Sequence, residues 1–328
     1  MLHQIAITYL PSERQKDAIC AILDEIAEIK YLPGLTNSKR ISTFETAEVI
    51  LANSWSATEI SAQESRYLKN VRMIQLMFAG ADKVPFESIP AGITLASNVG
   101  AFADPLAEHV LAMALCLAKS ILPRHLDLAN GIFDSSGYNK KLKGGICGII
   151  GMGGNGAAIA RLMQAMGMQV YGINRSGTSP VPISFVGNLD DLDTLLTKSD
   201  VIVLTVPLTN ETIELISHRE LQLMKPDAIL INVARGRVID QQALYEHLKS
   251  TPTCAAGIDT WWSEPGSPEG FKLDYPFFDL PNLVGSPHNA DDVPGAMTAA
   301  SQMAAENIRR FLEGKKIQGE INRLDYKA

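Results

Sequence analysis

Three polar side chains in the C-terminal half are of the kinds that hold an anion and pass a proton, and each stands where an apolar run stops. Arg235 follows Ile229-Leu230-Ile231-Asn232-Val233-Ala234, Glu264 follows Gly257-Ile258-Asp259-Thr260-Trp261-Trp262-Ser263, and His288 follows Leu283-Val284-Gly285-Ser286-Pro287. If these runs are strands of one open parallel sheet, their carboxyl ends share an edge, and that edge is where such sheets bind ligands. A guanidinium there can grip carboxylate or carbonyl oxygens with its planar donors. An imidazole, with an ordinary pKa of about 6.5, can exchange a proton at neutral pH. A carboxylate beside it fixes the ring and stabilises its protonated form. Upstream, Gly151-Met152-Gly153-Gly154-Asn155-Gly156 lies between an apolar run, 146–150, and a segment of helical spacing, 156–166. That context suits a dinucleotide pyrophosphate, and the combination points to redox chemistry.

Each glycine of the turn has a separate physical task. Gly151 permits the tight turn, Gly153 lets phosphates approach the backbone, and Gly156 lets helix and strand pack closely. The N–H groups of Gly154 and Asn155 would then face the phosphates from the helix N-terminus. A site for NAD normally carries an acidic residue at the end of the second strand, where it accepts from the ribose 2′-hydroxyl. Here that strand ends Val170-Tyr171-Gly172-Ile173 and is followed by Asn174-Arg175-Ser176, with Asn174 standing 18 positions after Gly156. The repelling charge is missing, Arg175 can pair with a 2′-phosphate and Ser176 can hydrogen-bond it. NADP is therefore the expected cofactor, with NAD as the alternative.

The elements that must position these groups follow from the pattern of the chain. From about Lys143 onward, apolar runs at 146–150, 168–173, 201–206, 228–233, 254–258 and 283–285 alternate with helical segments such as 240–249. Buried strands alternating with helices predict a doubly wound parallel sheet with right-handed crossovers. The first hundred residues read as a smaller domain of the same class, with strands at 5–9, 48–51, 73–77 and 93–96 and an amphipathic helix over 12–29. A strongly apolar helix over 105–122 is expected to be buried between domains or subunits. The helix over 295–312 is expected to return to the first domain. This makes a discontinuous substrate domain, 1–97 with 291–328, around a dinucleotide-binding domain, 98–290.

Bulk properties narrow the function class. At 328 residues the chain exceeds one comfortable core, and its 46% hydrophobic and 20% charged residues are ordinary for a globular protein. A net charge of −7, from 29 basic and 36 acidic residues, argues against nonspecific nucleic-acid binding. The longest apolar run, 110–118, is too short to span a bilayer, and the N-terminus lacks the pattern of a signal peptide. Cys20, Cys116, Cys147 and Cys254 are scattered without metal-type pairing, so they read as small buried residues, no metal is expected and the cytoplasm is the expected location. His3, His125, His218 and His247 are expected to be solvated, and His109 to pack. For the Trp261-Trp262 pair packing is the favoured role, with a wall of the substrate pocket as the alternative.

In order and spacing, the segments Gly148 through Gly156, Asn232-Val233-Ala234-Arg235-Gly236, Asp259 through Glu264-Pro265 and Ser286-Pro287-His288-Asn289-Ala290 resemble the D-isomer-specific 2-hydroxyacid dehydrogenase family. Ala79-Gly80-Ala81-Asp82 and Ala107-Glu108-His109 resemble its substrate loop and hinge helix. The resemblance implies a Rossmann cofactor domain with a smaller flavodoxin-like substrate domain, both doubly wound. It implies NAD(P)-dependent interconversion of a small 2-keto acid and the D-2-hydroxy acid in a cleft between the domains, as in glyoxylate and hydroxypyruvate reductases, without the regulatory extension of some phosphoglycerate dehydrogenases. It makes His288 the acid/base, Glu264 its partner and Arg235 the substrate anchor, with Phe78, Ala79 and Gly80 at the substrate carboxylate. Val206, Pro207, Val233 and Ala234, together with Arg235, Asp259 and His288, would line the cofactor, Asp259 meeting the nicotinamide end. A homodimer is implied as well, built on the apolar helix and the arm 123–138 that follows. The rival readings are a nicotinamide-sensing corepressor-like binding protein and a formate- or phosphite-oxidising relative.

Overall fold

The computed structural model describes residues 2–55, 59–61, 63–265 and 270–326. The chain divides into two compact units, Met1–Ala101 with Val293–Ala328, and Phe102–Asp292.

In the first unit, β1 (His3–Ile7), α1 (Glu13–Leu23), β2 (Ala27–Tyr31), α2 (Asn37–Thr46), β3 (Val49–Ala52), β4 (Met73–Leu76) and β5 (Thr94–Ala96) build a parallel sheet in the order β2-β1-β3-β4-β5. This is the flavodoxin-like order, and Ile50, Ile74, Phe44 and Trp55 are among the side chains buried in its core. The C-terminal helix, Ala296–Leu312, packs on α1 and β4. Two buried amides fasten it. Gln15 accepts from the Ser12 amide at 2.9 Å, closing the start of α1, and donates to Ser301 Oγ at 3.3 Å. Asn307 donates to Gln75 Oε1 on β4 at 2.7 Å.

The second unit holds α3 (Ala103–Ala118), α4 (Ile121–Ala129), β6 (Ile146–Ile150), α5 (Gly154–Ala165), β7 (Gln169–Ile173), β8 (Phe185–Gly187), α6 (Leu192–Lys198), β9 (Val201–Leu204), α7 (His218–Leu223), β10 (Ile229–Asn232), α8 (Gln241–Ser250), β11 (Ala255–Ile258) and β12 (Leu283–Gly285). Its seven parallel strands run in the order β12-β11-β10-β9-β6-β7-β8. The order reverses between β6 and β9, the point at which doubly wound sheets open a crevice for a ligand. Alternation along the strands feeds two cores. Val201, Val203, Ile229 and Ile231 pack with α3 and α5, whereas Ile202, Leu204 and Leu230 join the core that includes residues of α6, α7 and α8. Both faces are covered, which is why these strands read as unbroken apolar runs.

Several elements depart from the sequence reading. The helix expected over 12–29 stops at Leu23, and Ala27–Tyr31 forms an extra strand paired with β1. Ile26 and Ile29 continue the helical spacing of Ile19 and Leu23, so no change of period marks the boundary. The strand Phe185–Gly187 and the polar helix Asn37–Thr46 carry too few apolar residues to announce themselves. The helix expected over 105–122 breaks at Ser120, which is left-handed at φ 49°, and α4 leaves at 59° to α3. Among the described residues no single helix is long and apolar enough to cross a membrane. Cys147 and Cys254 are buried, but Cys20 and Cys116 are only partly so. His247 is not solvated but holds Nε2 in the interior, where burial lowers its pKa, and the partly exposed His3 pairs with Glu48 at 3.1 Å.

Candidate active site

The glycine turn leaves β6 at the switch point and enters α5. Gly151 is at φ 111°, and a Cβ there would stand 2.7 Å from Thr205 Oγ1 and 2.9 Å from the Val206 nitrogen. A Cβ on Gly156 would lie 2.1 Å from the Gly151 carbonyl oxygen. Thr205 closes the turn by donating to Gly151 O at 2.6 Å. The first backbone bond of α5 runs from the Ala157 amide to Gly153 O at 2.9 Å, so the Gly154 and Asn155 amides belong to the helix end whose N–H groups have no intrahelical acceptor. This turn, too tight for side chains at Gly151 and Gly156 and ending on the Gly154 and Asn155 amides, fits a dinucleotide pyrophosphate.

Strand β7 delivers Asn174 to the same edge. Its carboxamide organises the following loop by donating to Thr178 O at 2.7 Å and accepting from Ser176 Oγ at 3.2 Å. Arg175 is exposed and its Nη2 donates to Glu211 Oε2 at 3.0 Å. Glu211 lies in the segment that follows Val206 and Pro207 after β9.

The ends of β10, β11 and β12 carry the three polar groups. His288 Nδ1 lies 2.9 Å from Glu264 Oε1 and 3.0 Å from Oε2. The Glu264 hydrogen bond holds the His288 pKa above the ordinary histidine value. Desolvation and the Arg235 charge pull the other way, and the charges of Glu264 and Asp259 add to the rise. Arg235 is thus close enough to act electrostatically on the ring. Its Nη1 donates to the Ala234 carbonyl at 2.7 Å, which directs the guanidinium along the loop Val233-Ala234.

His288 itself sits in the left-handed region at φ 53°, a conformation that costs a non-glycine residue energy unless its surroundings enforce it. Asp259, almost wholly buried, supplies much of that enforcement. Its Oδ1 accepts from the Asn289 amide at 3.2 Å and from Ser286 Oγ at 2.6 Å, gripping the chain on both sides of His288. His109 of α3 completes the group, with Nε2 2.9 Å from Ser286 Oγ, so it is part of the site's framework and not packing alone. Asn232, quoted in the sequence only as the first residue of the arginine motif, proves to have a role of its own. Fully buried at the end of β10, it accepts from the Ala234 amide at 3.0 Å and donates to Arg235 O at 2.9 Å, shaping the arginine loop. A polar residue closing an apolar strand is the one signal that could have revealed it. The two tryptophans are packed: Trp261 donates Nε1 to Ser286 O at 2.8 Å, and Trp262 donates to Ile239 O at 2.6 Å while stacking on Phe277.

Phe78, Ala79 and Gly80 belong to the first unit, just beyond the end of β4, and are partly buried. Asn98 anchors this loop, with its amide on Phe78 O at 3.1 Å and its side chain on Met77 O at 3.2 Å and Ala300 O at 2.8 Å.

Residues 111–290 match the family model described as the D-isomer specific 2-hydroxyacid dehydrogenase, NAD binding domain. The chain belongs to that family. The D-3-phosphoglycerate dehydrogenase of Methanocaldococcus jannaschii is 30% identical over 94% of this chain, which spans only 57% of that protein's length. The glycerate dehydrogenase of Methylorubrum extorquens is 31% identical, covering 87% of this chain and 89% of its own. Among solved structures, an acyclic imino acid reductase in complex with NADPH and D-Arg superposes with a TM-score of 0.73 at 25% identity, covering 98% and 99% of the two chains. The strand order and glycine turn described above are those expected of an NAD-binding domain in this 2-hydroxyacid dehydrogenase family.

Replacing Glu264 by glutamine should return the His288 pKa towards its ordinary value, read by NMR titration of the ring protons in the cofactor-free protein. Because folding raises this pKa, the pair's contribution to stability is complete below the ordinary histidine pKa and is lost as pH rises through the raised value. An unchanged titration in Glu264→Gln would show that the carboxylate does not set the proton affinity of the ring.

Proposed function

We propose that this chain is an NADPH-dependent reductase of small 2-keto acids, running reversibly to the D-2-hydroxy acid. The observation that carries the reading is the His288–Glu264 pair, with Arg235 acting on the same ring, at the sheet edge that also bears the glycine cradle. A reduced nicotinamide bound through the cradle supplies a hydride. The chain's own residues supply the rest. Nδ1 of His288 is committed to Glu264, which leaves Nε2 to meet the substrate oxygen. As the carbonyl carbon accepts the hydride, the oxygen takes the Nε2 proton, and Glu264 stabilises the imidazolium up to that moment. Arg235, always charged, holds the substrate carboxylate or carbonyl oxygen and orients the face that is attacked. In the reverse direction, neutral His288 accepts the hydroxyl proton.

His288→Ala should lower kcat with glyoxylate, hydroxypyruvate or pyruvate by roughly 10² to 10⁴-fold while leaving cofactor affinity nearly intact. Turnover close to wild type at neutral pH would overturn the assignment. Steady turnover by the wild type also separates an enzyme from a nicotinamide-sensing binding protein on the same fold.

The NADP reading rests on Asn174, Arg175 and Ser176 and is supported by the NADPH carried by the imino acid reductase. To grip a 2′-phosphate, Arg175 exchanges Glu211 for it, and an exposed ion pair resists this by only about 1 kcal/mol or less. Arg175→Ala should cut kcat/KM for NADPH by roughly 10-fold or more and spare NADH. Glu211→Gln should leave NADPH use equal or slightly better. A wild-type preference for NADH, or an arginine deletion that leaves NADPH use untouched, would reject the reading.

The homodimer reading rests on the surface of α4 and the segment after it, where Ile121, Leu126, Leu128, Ile132 and Phe133 are all more than half exposed. Apolar surface of that extent commonly marks an interface, and a second copy is its proposed partner. Light scattering at micromolar concentration should give twice the 35.6 kDa chain mass. A stable monomer would rule it out.

A further inference from the structure

We propose that Trp261 is a further positioning residue of the site, fastening the loops that carry Arg235, Glu264 and His288 to one another. The inference rests on the reading of His288 as acid/base and adds the group that holds it in register with its partners.

Three separate attachments converge on this one side chain and its peptide. Its backbone amide donates to Glu264 Oε1 at 2.9 Å, and that same oxygen stands 2.9 Å from His288 Nδ1. Its indole Nε1 donates to the carbonyl of Ser286, two residues before His288, at 2.8 Å. Its carbonyl carbon lies 2.2 Å from where a Cβ on Gly236 would be, so the residue after Arg235 must be glycine for the arginine loop to reach this close. The ring edge likewise closes on Gly285, where a Cβ would meet Cζ2 at 2.6 Å. Trp261 is buried, with Trp262, Phe271 and Phe278 against it at ring separations of 6.5, 5.6 and 5.4 Å. Phe271 and Phe278 are themselves more than half exposed, but with its indole N–H and peptide both bonded and one edge against Gly285 the ring cannot shift far without moving what is bonded to it.

The neighbouring tryptophan makes the contrast. Trp262 also buries an indole hydrogen bond, at 2.6 Å, and stacks on Phe277 at 5.3 Å, but its bond goes to Ile239, four residues beyond Arg235, and not to the segment before His288. Losing either indole N–H removes one buried hydrogen bond, so a purely structural role predicts equal consequences for Trp261→Phe and Trp262→Phe. A positioning role predicts a difference. Phenylalanine at 261 keeps an aromatic ring in place but frees the Ser286 carbonyl, and with it the approach of His288 to Glu264. Displacements well below an ångström weaken a hydrogen bond and misdirect a proton.

The experiment compares Trp261→Phe, Trp262→Phe, Gly285→Ala, His288→Ala and wild type. The readouts are the His288 titration by NMR in the cofactor-free protein, Tm, cofactor affinity by calorimetry, and kcat with a 2-keto acid. Trp261→Phe should lower the His288 pKa by about half a unit. Its kcat should fall roughly 10-fold with cofactor affinity within about twofold of wild type, whereas Trp262→Phe should show a similar loss of Tm but unchanged titration and kcat. Gly285→Ala pushes the indole from its other edge and should reproduce the Trp261→Phe result, which keeps the test decisive if that variant does not fold. Titration and kcat that match those of Trp262→Phe would overturn the proposal. If His288→Ala were as active as wild type, the acid/base reading itself would fail, an outcome that the titration distinguishes from failure of the Trp261 proposal.

Discussion

Parallel pairing of seven strands is the constraint on which the chemistry of this protein depends. Because every strand of the larger sheet points the same way, the loops after β6, β7, β9, β10, β11 and β12 all emerge at one edge. Residues as distant in sequence as Gly151 and His288 are brought to that edge by hydrogen bonding that is indifferent to side-chain identity. The side chains then refine what the register provides. Thr205 fills the space that the missing Cβ of Gly151 leaves, and Asp259 holds the residues flanking His288.

The site is largely a set of polar residues that hold other polar residues. Of the two partners set around His288, Glu264 raises the proton affinity of the ring, while Asp259 secures a backbone conformation that histidine rarely takes. Asn232 performs the equivalent service for Arg235 through its peptide groups. Asp259 and Asn232 are buried, which makes their hydrogen bonds strong and their removal costly, whereas the Glu264–His288 pair is partly open to solvent.

Much of this was legible in the sequence, for reasons that also define the limits. Buried parallel strands are short apolar runs ended by polar residues, so β6, β9, β10, β11 and β12 and the groups at their ends could be read directly. The glycine turn was legible because its spacing encodes close backbone approaches. β2 was hidden because Ile26 and Ile29 continue the helical spacing of Ile19 and Leu23 past the end of α1, so no change of period marks the strand. Glu211 as a partner for Arg175, and Ser286 as a bridge between His109 and Asp259, depend on side chains far apart in the chain, and no local pattern marks such pairs. Trp261 read as packing because an indole that packs and an indole that tethers look alike in one dimension.

The discontinuity of the first unit bears on how the chain comes into being. Gln15, Gln75 and Asn98 all complete their hydrogen bonds on the C-terminal helix, between 202 and 286 residues further on. During synthesis that helix leaves the ribosome only after the whole of Phe102–Asp292 has done so. The cofactor-binding unit, continuous in sequence, is free to fold while translation proceeds, whereas the first unit must wait with the α1 and β4 faces uncovered. The residues of α1 and β4 are therefore among the last to reach their final packing, and in the interval their apolar faces are open to chaperone capture.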